Sequence, residues 1–189
     1  MTTKQSKASA QSGFDAAVKK ADLVTVQTLI RRGLKPPVTA AEAAADACNK
    51  AYALAHPTTR QGLFGRKART SKKARSAASA DADKYYRITE ALLKAGAPVP
   101  DTGICPAARS GNTKLALLLI EHGVDVDFSP PIGTPLENAV KSGSVEIMRA
   151  LIKAGADLHQ QGLFGTLLIE PLARTRSWLW TNSSRLALT

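Results

Sequence analysis

The stretch that decides the fold is TPLENAVKSGSVEIMRALIKAGAD, residues 134–157. Its first residues predict a helix start, because a threonine side chain can accept hydrogen bonds from free backbone amides and proline fits best at the first helical position. Ser142-Gly143 predicts a tight turn between two helices. The stretch therefore predicts a helix, a short turn and a second helix that ends near Gly155.

The same pattern occurs one period earlier in the chain. A shift of 32 residues aligns Thr102 with Thr134, and it also aligns three further features: Ser110-Gly111 with Ser142-Gly143, Leu119-Ile120 with Leu151-Ile152, and Gly123 with Gly155. One offset that preserves the turn, the apolar pair and the terminal glycine indicates an internal repeat.

This period resembles the ankyrin repeat, which has about 33 residues and a Thr-Pro-Leu-His-x-Ala start. Glu137 and Cys105 stand where that family has its histidine, so the hydrogen bond that the histidine makes along the first turn is expected to be lost or replaced. The resemblance implies an all-α solenoid of helix-turn-helix repeats joined by finger loops.

Less regular copies lie on both sides. In a first copy Ala21 takes the glycine position of the turn, and Val26, Leu29 and Ile30 fall on one helical stripe. A second copy begins with a helix over residues 40–55 and resumes around Tyr85. A degenerate last copy starts at residues 166–168 but decays at Pro171, where proline breaks a helix.

The chain is thus predicted to have three parts. They are a flexible N-terminus (1–13), an ankyrin array (14–173) with a basic insertion (56–82), and a C-terminal segment (174–189). Trp178 and Trp180 favour a cap over the last repeat for that segment, and a partner-binding tail is the alternative. Residues 61–65 recur identically as residues 161–165, and we predict no function for them.

The net charge of +11 is concentrated in the insertion. Residues 56–80 carry seven basic side chains and no acidic ones, whereas residues 101–189 carry eight of each. The seven are Arg60, Arg66, Lys67, Arg69, Lys72, Lys73 and Arg75. Such a run predicts a disordered or weakly helical loop. It is either a solubilising loop or a site for nucleic acid or anionic membrane, which it would attract through phosphate groups.

The resemblance also implies a function, that of a non-enzymatic scaffold for protein–protein interaction. In ankyrin arrays the fingers and first helices form the concave face, and the second helices line the convex back. The implied contact positions are Arg109, Asp125, Asp127, Phe128, Glu137, Lys141 and His159. Phe128 is expected either at an exposed finger tip, where aromatics become binding hot spots, or packed on the neighbouring finger. Asp125, Asp127 and Asp157 are also expected to brace their fingers.

No pattern in the sequence indicates catalysis, a cofactor or a metal site. The cysteines, Cys48 and Cys105, lack metal-ligand spacing and are predicted to be free, buried thiols in a reducing compartment. No apolar run is long enough to cross a bilayer, and no apolar stretch follows the polar first residues as in a secretory signal. We therefore predict a cytoplasmic monomer with an unidentified protein partner, with export as an effector left open.

Overall fold

The computed structural model describes residues 2–57, 71–128, 130 and 133–158, and the regular elements within these ranges are all helices. They are α1 (Thr2–Lys19), α2 (Leu23–Arg31), α3 (Val38–Ala55), α4 (Lys72–Lys94), α5 (Ile104–Ser110), α6 (Thr113–Glu121), α7 (Pro135–Ser142) and α8 (Val145–Lys153). A 3₁₀ turn, Asp101–Gly103, precedes α5. The predicted all-α fold is confirmed.

The helices form four pairs that stack in two layers. The first helices α1, α3, α5 and α7 contact one another in chain order, and so do the second helices α2, α4, α6 and α8. Stacking of each pair on its neighbours is the architecture of a solenoid, in which no pair could bury its apolar face alone.

Two clusters of buried side chains fill the space between the layers. The first includes Phe14, Val26, Ile88 and Leu92, and the second includes Ile104, Leu115, Leu119, Ile147 and Leu151. Between them lies the buried face of α3, which is built of alanines. Because alanine is small, the neighbouring helices can approach α3 closely.

The repeat that decided the fold has the local geometry that its sequence predicts. Thr134 precedes α7 and its Oγ1 accepts from the backbone N–H of Glu137 at 3.1 Å. Gly143 ends α7 with a φ of +74°, in the left-handed region that glycine adopts without strain. In the first pair Ala21 occupies the same turn position with a φ of +52°, the one positive φ at a non-glycine residue in the described part of the chain.

Two predicted boundaries differ from the structure. Helix α1 begins at Thr2, so the segment expected to be a flexible N-terminus continues into the first helix of the array. Helix α4 begins at Lys72 and takes in the last eleven residues of the expected insertion. Its early start has a local cause, since Ser71 Oγ accepts from the Ala74 N–H at 3.2 Å and the following residues are rich in alanine, the strongest helix former.

The α3/α4 pair is consequently much longer than the others. These helices have 18 and 23 residues, whereas the later four have seven to nine. The remainder of the insertion, residues 58–70, and the predicted C-terminal segment lie outside the described residues.

Candidate interaction surface

The loops that join one helix pair to the next are the fingers of the array. We name them by residue range: the first finger (32–37), the second (95–103), the third (122–134) and the fourth, described over 154–158. The second, third and fourth fingers contain aspartates but no lysine or arginine. Their edge of the array is therefore acidic, although the whole chain carries a net charge of +11.

Carboxylates hold consecutive fingers together. Asp101 Oδ1 accepts from the backbone N–H of Asp125 at 3.0 Å, and Asp127 Oδ1 accepts from that of Asp157 at 2.8 Å. Within the third finger, Asp125 Oδ1 accepts from the Asp127 N–H at 3.0 Å. The second finger is thus tied to the third and the third to the fourth, by charge-assisted bonds, which are stronger than neutral ones. We call these three bonds the finger ladder.

A groove of about 370 Å³ lies on the same side, between α3 and the start of α5. It is lined by Thr39, Glu42, Ala43, Asp46, Asn49, Thr102, Gly103 and Pro106. Sequence analysis did not identify this groove. The signal was present, because Glu42 and Asp46 are carboxylates four residues apart in a run of alanines, and that spacing puts them on one helix face.

Among the other predicted contact positions, Arg109 and Asp125 are exposed and Asp127 is half-buried. The Lys141 side chain is 46% exposed. All four lie on the fingers or in the first-helix layer. His159 lies outside the described residues.

A family model of ankyrin repeats, in three copies, matches residues 76–162. These residues are ankyrin repeats. The match begins within α4 and extends over α5 to α8 and the fingers between them. Ankyrin repeats are in general modules of protein–protein interaction, and their concave face consists of fingers and first helices.

A curated relative is similar over a short part of its length. The potassium channel AKT1 of Arabidopsis thaliana is 37% identical to this chain over 62 residues, which are 32% of this chain and 7% of that protein. The chain therefore spans only a small fraction of that channel, and the similarity is one between short segments.

Glu137, at the usual position of the ankyrin histidine, is not a surface residue. It is 3% exposed, so the expectation that it contacts a partner directly is wrong. Its Oε2 lies 3.8 Å from Lys141 Nζ and has no hydrogen-bond partner. The helix start at α7 is instead satisfied by Thr134 and by Asn138, whose Nδ2 donates to the carbonyls of Gly133 and Thr134.

Phe128 packs within the array. It is partly buried against the second core cluster, and its carbonyl oxygen lies 3.7 Å from Cys105 Sγ. The packed alternative therefore describes this aromatic better than an exposed finger tip does. Because Phe128 belongs to the third finger, this contact holds that finger against the core.

The basic residues of the insertion divide into two groups. Lys72, Lys73 and Arg75 lie on the exposed first turn of α4, and the other four, Arg60, Arg66, Lys67 and Arg69, lie outside the described residues. The ion pairs of the described ranges do not include Lys72 or Lys73. Cations at a helix N-terminus are not stabilised by the helix dipole, so their charge remains available for an external anion.

Neither a membrane span nor a metal site is found in the part of the chain that the structure describes. Its helices are too short or too polar to cross a bilayer. No three histidine, cysteine or acidic side chains of these residues come together as metal ligands would.

The two cysteines are free and buried, as predicted. Burial raises the pKa of each thiol to about 11, and for Cys48 the hydrogen bond from Asn112 only partly opposes this. Both thiols are therefore almost entirely protonated at neutral pH. The thiolate is the reactive form of cysteine.

We expect neither cysteine to be alkylated by iodoacetamide in the folded protein at neutral pH, whereas both react in urea. Mass spectrometry of the two samples counts the labels. Since the folded-state pKa values of about 11 exceed the ordinary value of 9.0, the neutral thiols stabilise the fold at neutral pH. This stabilisation is lost as the pH rises from about 9 to about 11. Rapid labelling of either residue in the native protein would contradict the buried placement.

Proposed function

We propose that this protein is a non-enzymatic ankyrin scaffold that binds a protein partner through its finger and first-helix face. The observation that carries the proposal is the finger ladder, which fixes consecutive fingers in one arrangement before any partner arrives. A surface that is already ordered loses little conformational entropy on binding, so more of the contact energy appears as affinity.

The exposed members of this face are polar. Arg109 and Asp125 are exposed and can face a partner directly, whereas Glu137 is buried and Phe128 is partly buried. A monomer in the cytoplasm suits this function, because two unpaired thiols persist in a reducing compartment.

The test compares a face variant with a matched variant on the back of the array. The face variant combines Arg109→Glu with Asp125→Asn, which reverses one charge and keeps an acceptor for the Asp127 N–H. The back variant combines Arg149→Glu with Glu121→Gln, at exposed positions of the second-helix layer. Both change the net charge by the same amount.

Each full-length protein is immobilised and used to capture partners from native lysate at moderate salt, with quantitative mass spectrometry. We expect one discrete protein to be retained by the wild type and the back variant and to fall at least tenfold with the face variant. Equal capture by the two variants would contradict the proposal.

The insertion supports a second candidate function, binding of nucleic acid or anionic membrane through residues 60–75. Lys72 and Lys73 favour it, because both are exposed and neither forms an ion pair with another described residue. A third full-length variant tests it, with glutamine replacing Arg60, Arg66, Lys67, Arg69, Lys72 and Lys73. Phosphate-dependent binding predicts that nucleic acid or anionic vesicles bind the wild type with steep salt dependence and do not bind this variant.

A further inference from the structure

The groove between α3 and α5 has a lining that accepts hydrogen bonds but offers few donors. Glu42 and Asp46 lie one turn apart on α3, and Thr102 lines the same groove from the 3₁₀ turn before α5. No ion pair of the described residues involves Glu42. Asp46 is paired with Lys50 at 2.7 Å, but both side chains are more than half exposed, so water screens this pair and a competing cation can replace it.

Asn49 adds a buried acceptor to the same lining. Its side chain is only 4% exposed, and its Nδ2 donates to the carbonyl oxygen of Gly103 at 3.2 Å. The other end of the amide, Oδ1, has no hydrogen-bond partner among the residues that the structure describes. Buried polar groups are nearly always paired, so an unpaired acceptor in the wall of a groove indicates a donor that arrives from outside.

The groove is also the start of a longer acidic strip. Asp101 lies in the second finger, directly before Thr102. Along the finger ladder the negative charge continues with Asp125, Asp127 and Asp157. The fingers beyond α4 carry no lysine or arginine, so a positively charged chain meets no like charge on the fingers themselves. The whole chain carries a net charge of +11, so the regions outside this strip would repel such a chain.

We propose that the groove binds an arginine or lysine side chain of the partner, and that the partner's contacting segment is basic. A long, slim side chain with several N–H donors matches a groove lined by two carboxylates and an unpaired amide oxygen. Arginine fits best, because its planar guanidinium presents five donors and can bind a carboxylate through two of them. The inference rests on the proposed function and specifies the chemistry of the partner.

The test begins with selection of random twelve-residue peptides displayed on phage against immobilised full-length protein. We expect the recovered peptides to be enriched in arginine and lysine. One such peptide is then synthesised with a fluorophore, alongside a copy in which citrulline replaces each arginine and norleucine each lysine. Fluorescence anisotropy measures both, and we expect the uncharged copy to bind at least tenfold more weakly.

Variants of the protein locate the contact. The groove variant combines Glu42→Gln with Asp46→Asn and leaves Asn49 unchanged, because its amide holds Gly103. The control combines Glu90→Gln with Asp81→Asn on α4, which removes the same two kinds of carboxylate, here from two ion pairs with lysines. We expect affinity to fall at least tenfold for the groove variant and to stay within twofold for the control.

Three outcomes overturn the inference. Recovery of peptides without cationic residues would overturn it. Equal affinity of the peptide for the groove variant and for the control would also overturn it. In either case the recovered peptides are also measured on the Arg109→Glu/Asp125→Asn variant. If they bind this variant more weakly than the wild type, the finger and first-helix face binds proteins but the groove does not select a cation. If they do not, the proposed function fails as well.

The third outcome concerns occupants from the same chain. Tighter peptide binding after neutralisation of Arg60, Arg66, Lys67 and Arg69 would show that the insertion of this protein fills the groove. Self-association abolished by the groove variant, measured by analytical ultracentrifugation, would show that a second copy fills it. Either result overturns the assignment to a separate partner.

Discussion

Replacing Leu119 with alanine is expected to lower the free energy of unfolding by about 2–5 kcal/mol, the range for deleting a buried leucine side chain. Leu119 is fully buried in the second core cluster, on α6. It belongs to a repeat with neighbours on both sides. Because each repeat of a solenoid is stabilised by its neighbours, a cavity here weakens both contacts of that repeat.

Leu117 provides the matched control on the same helix. Its side chain is 36% exposed, so Leu117→Ala removes the same atoms at the same helix propensity but leaves no closed cavity. We expect a loss of less than about 1 kcal/mol. Urea unfolding followed by circular dichroism measures both, and similar losses at the two positions would contradict the described packing of α6.

Replacing Gly133 with alanine is expected to cost about 2–5 kcal/mol of stability, through two separate effects. The φ of Gly133 is +99°, which strains any residue with a Cβ. In addition, that Cβ would overlap the carboxylate of Glu137, which is itself buried and cannot move freely. The overlap would force Glu137 and the residues packed around it out of position.

Gly155 separates these two effects. Its φ is +95°, nearly the same, but a Cβ there would meet no atom within 4 Å. Gly155→Ala is therefore expected to cost about 1–2 kcal/mol from backbone strain alone. A double variant with Glu137→Ala removes the overlapping carboxylate, and it should recover part of the loss at Gly133. Equal losses at the two glycines, measured by thermal and urea unfolding, would show that Glu137 does not occupy the described position.

Much of the fold was predictable because its signals are local. Thr134, Pro135 and Gly143 act through the backbone within one helix, so the sequence alone indicates where α7 starts and ends. The same reasoning failed at Thr102, which aligns with Thr134 but lies in a 3₁₀ turn and does not cap α5. The shorter second finger explains this difference, since it has fewer residues in which to reach the next helix.

The surface was less predictable, because burial depends on neighbours that sequence spacing does not reveal. Glu137 was expected on the outside as a charged residue, yet the approach of Gly133 and the rest of the third finger covers it. Asp125 and Asp127 were correctly expected to brace their finger. Hydrogen bonds of these two residues also run from one finger to the next, and only the stacking of the repeats reveals this.

The long α3/α4 pair separates two chemically different regions of the molecule. The acidic groove lies along the first half of α3, and about 20 Å of helix separates Glu42 from the end of α3. Lys72 and Lys73 lie beyond that end, on the first turn of α4. If both proposed sites bind their ligands, this separation would let the protein hold a basic partner and an anionic surface at the same time. Attachment at one site would raise the effective local concentration of the ligand at the other site. The residence time of the assembly would then depend on the rigidity of the α3/α4 pair.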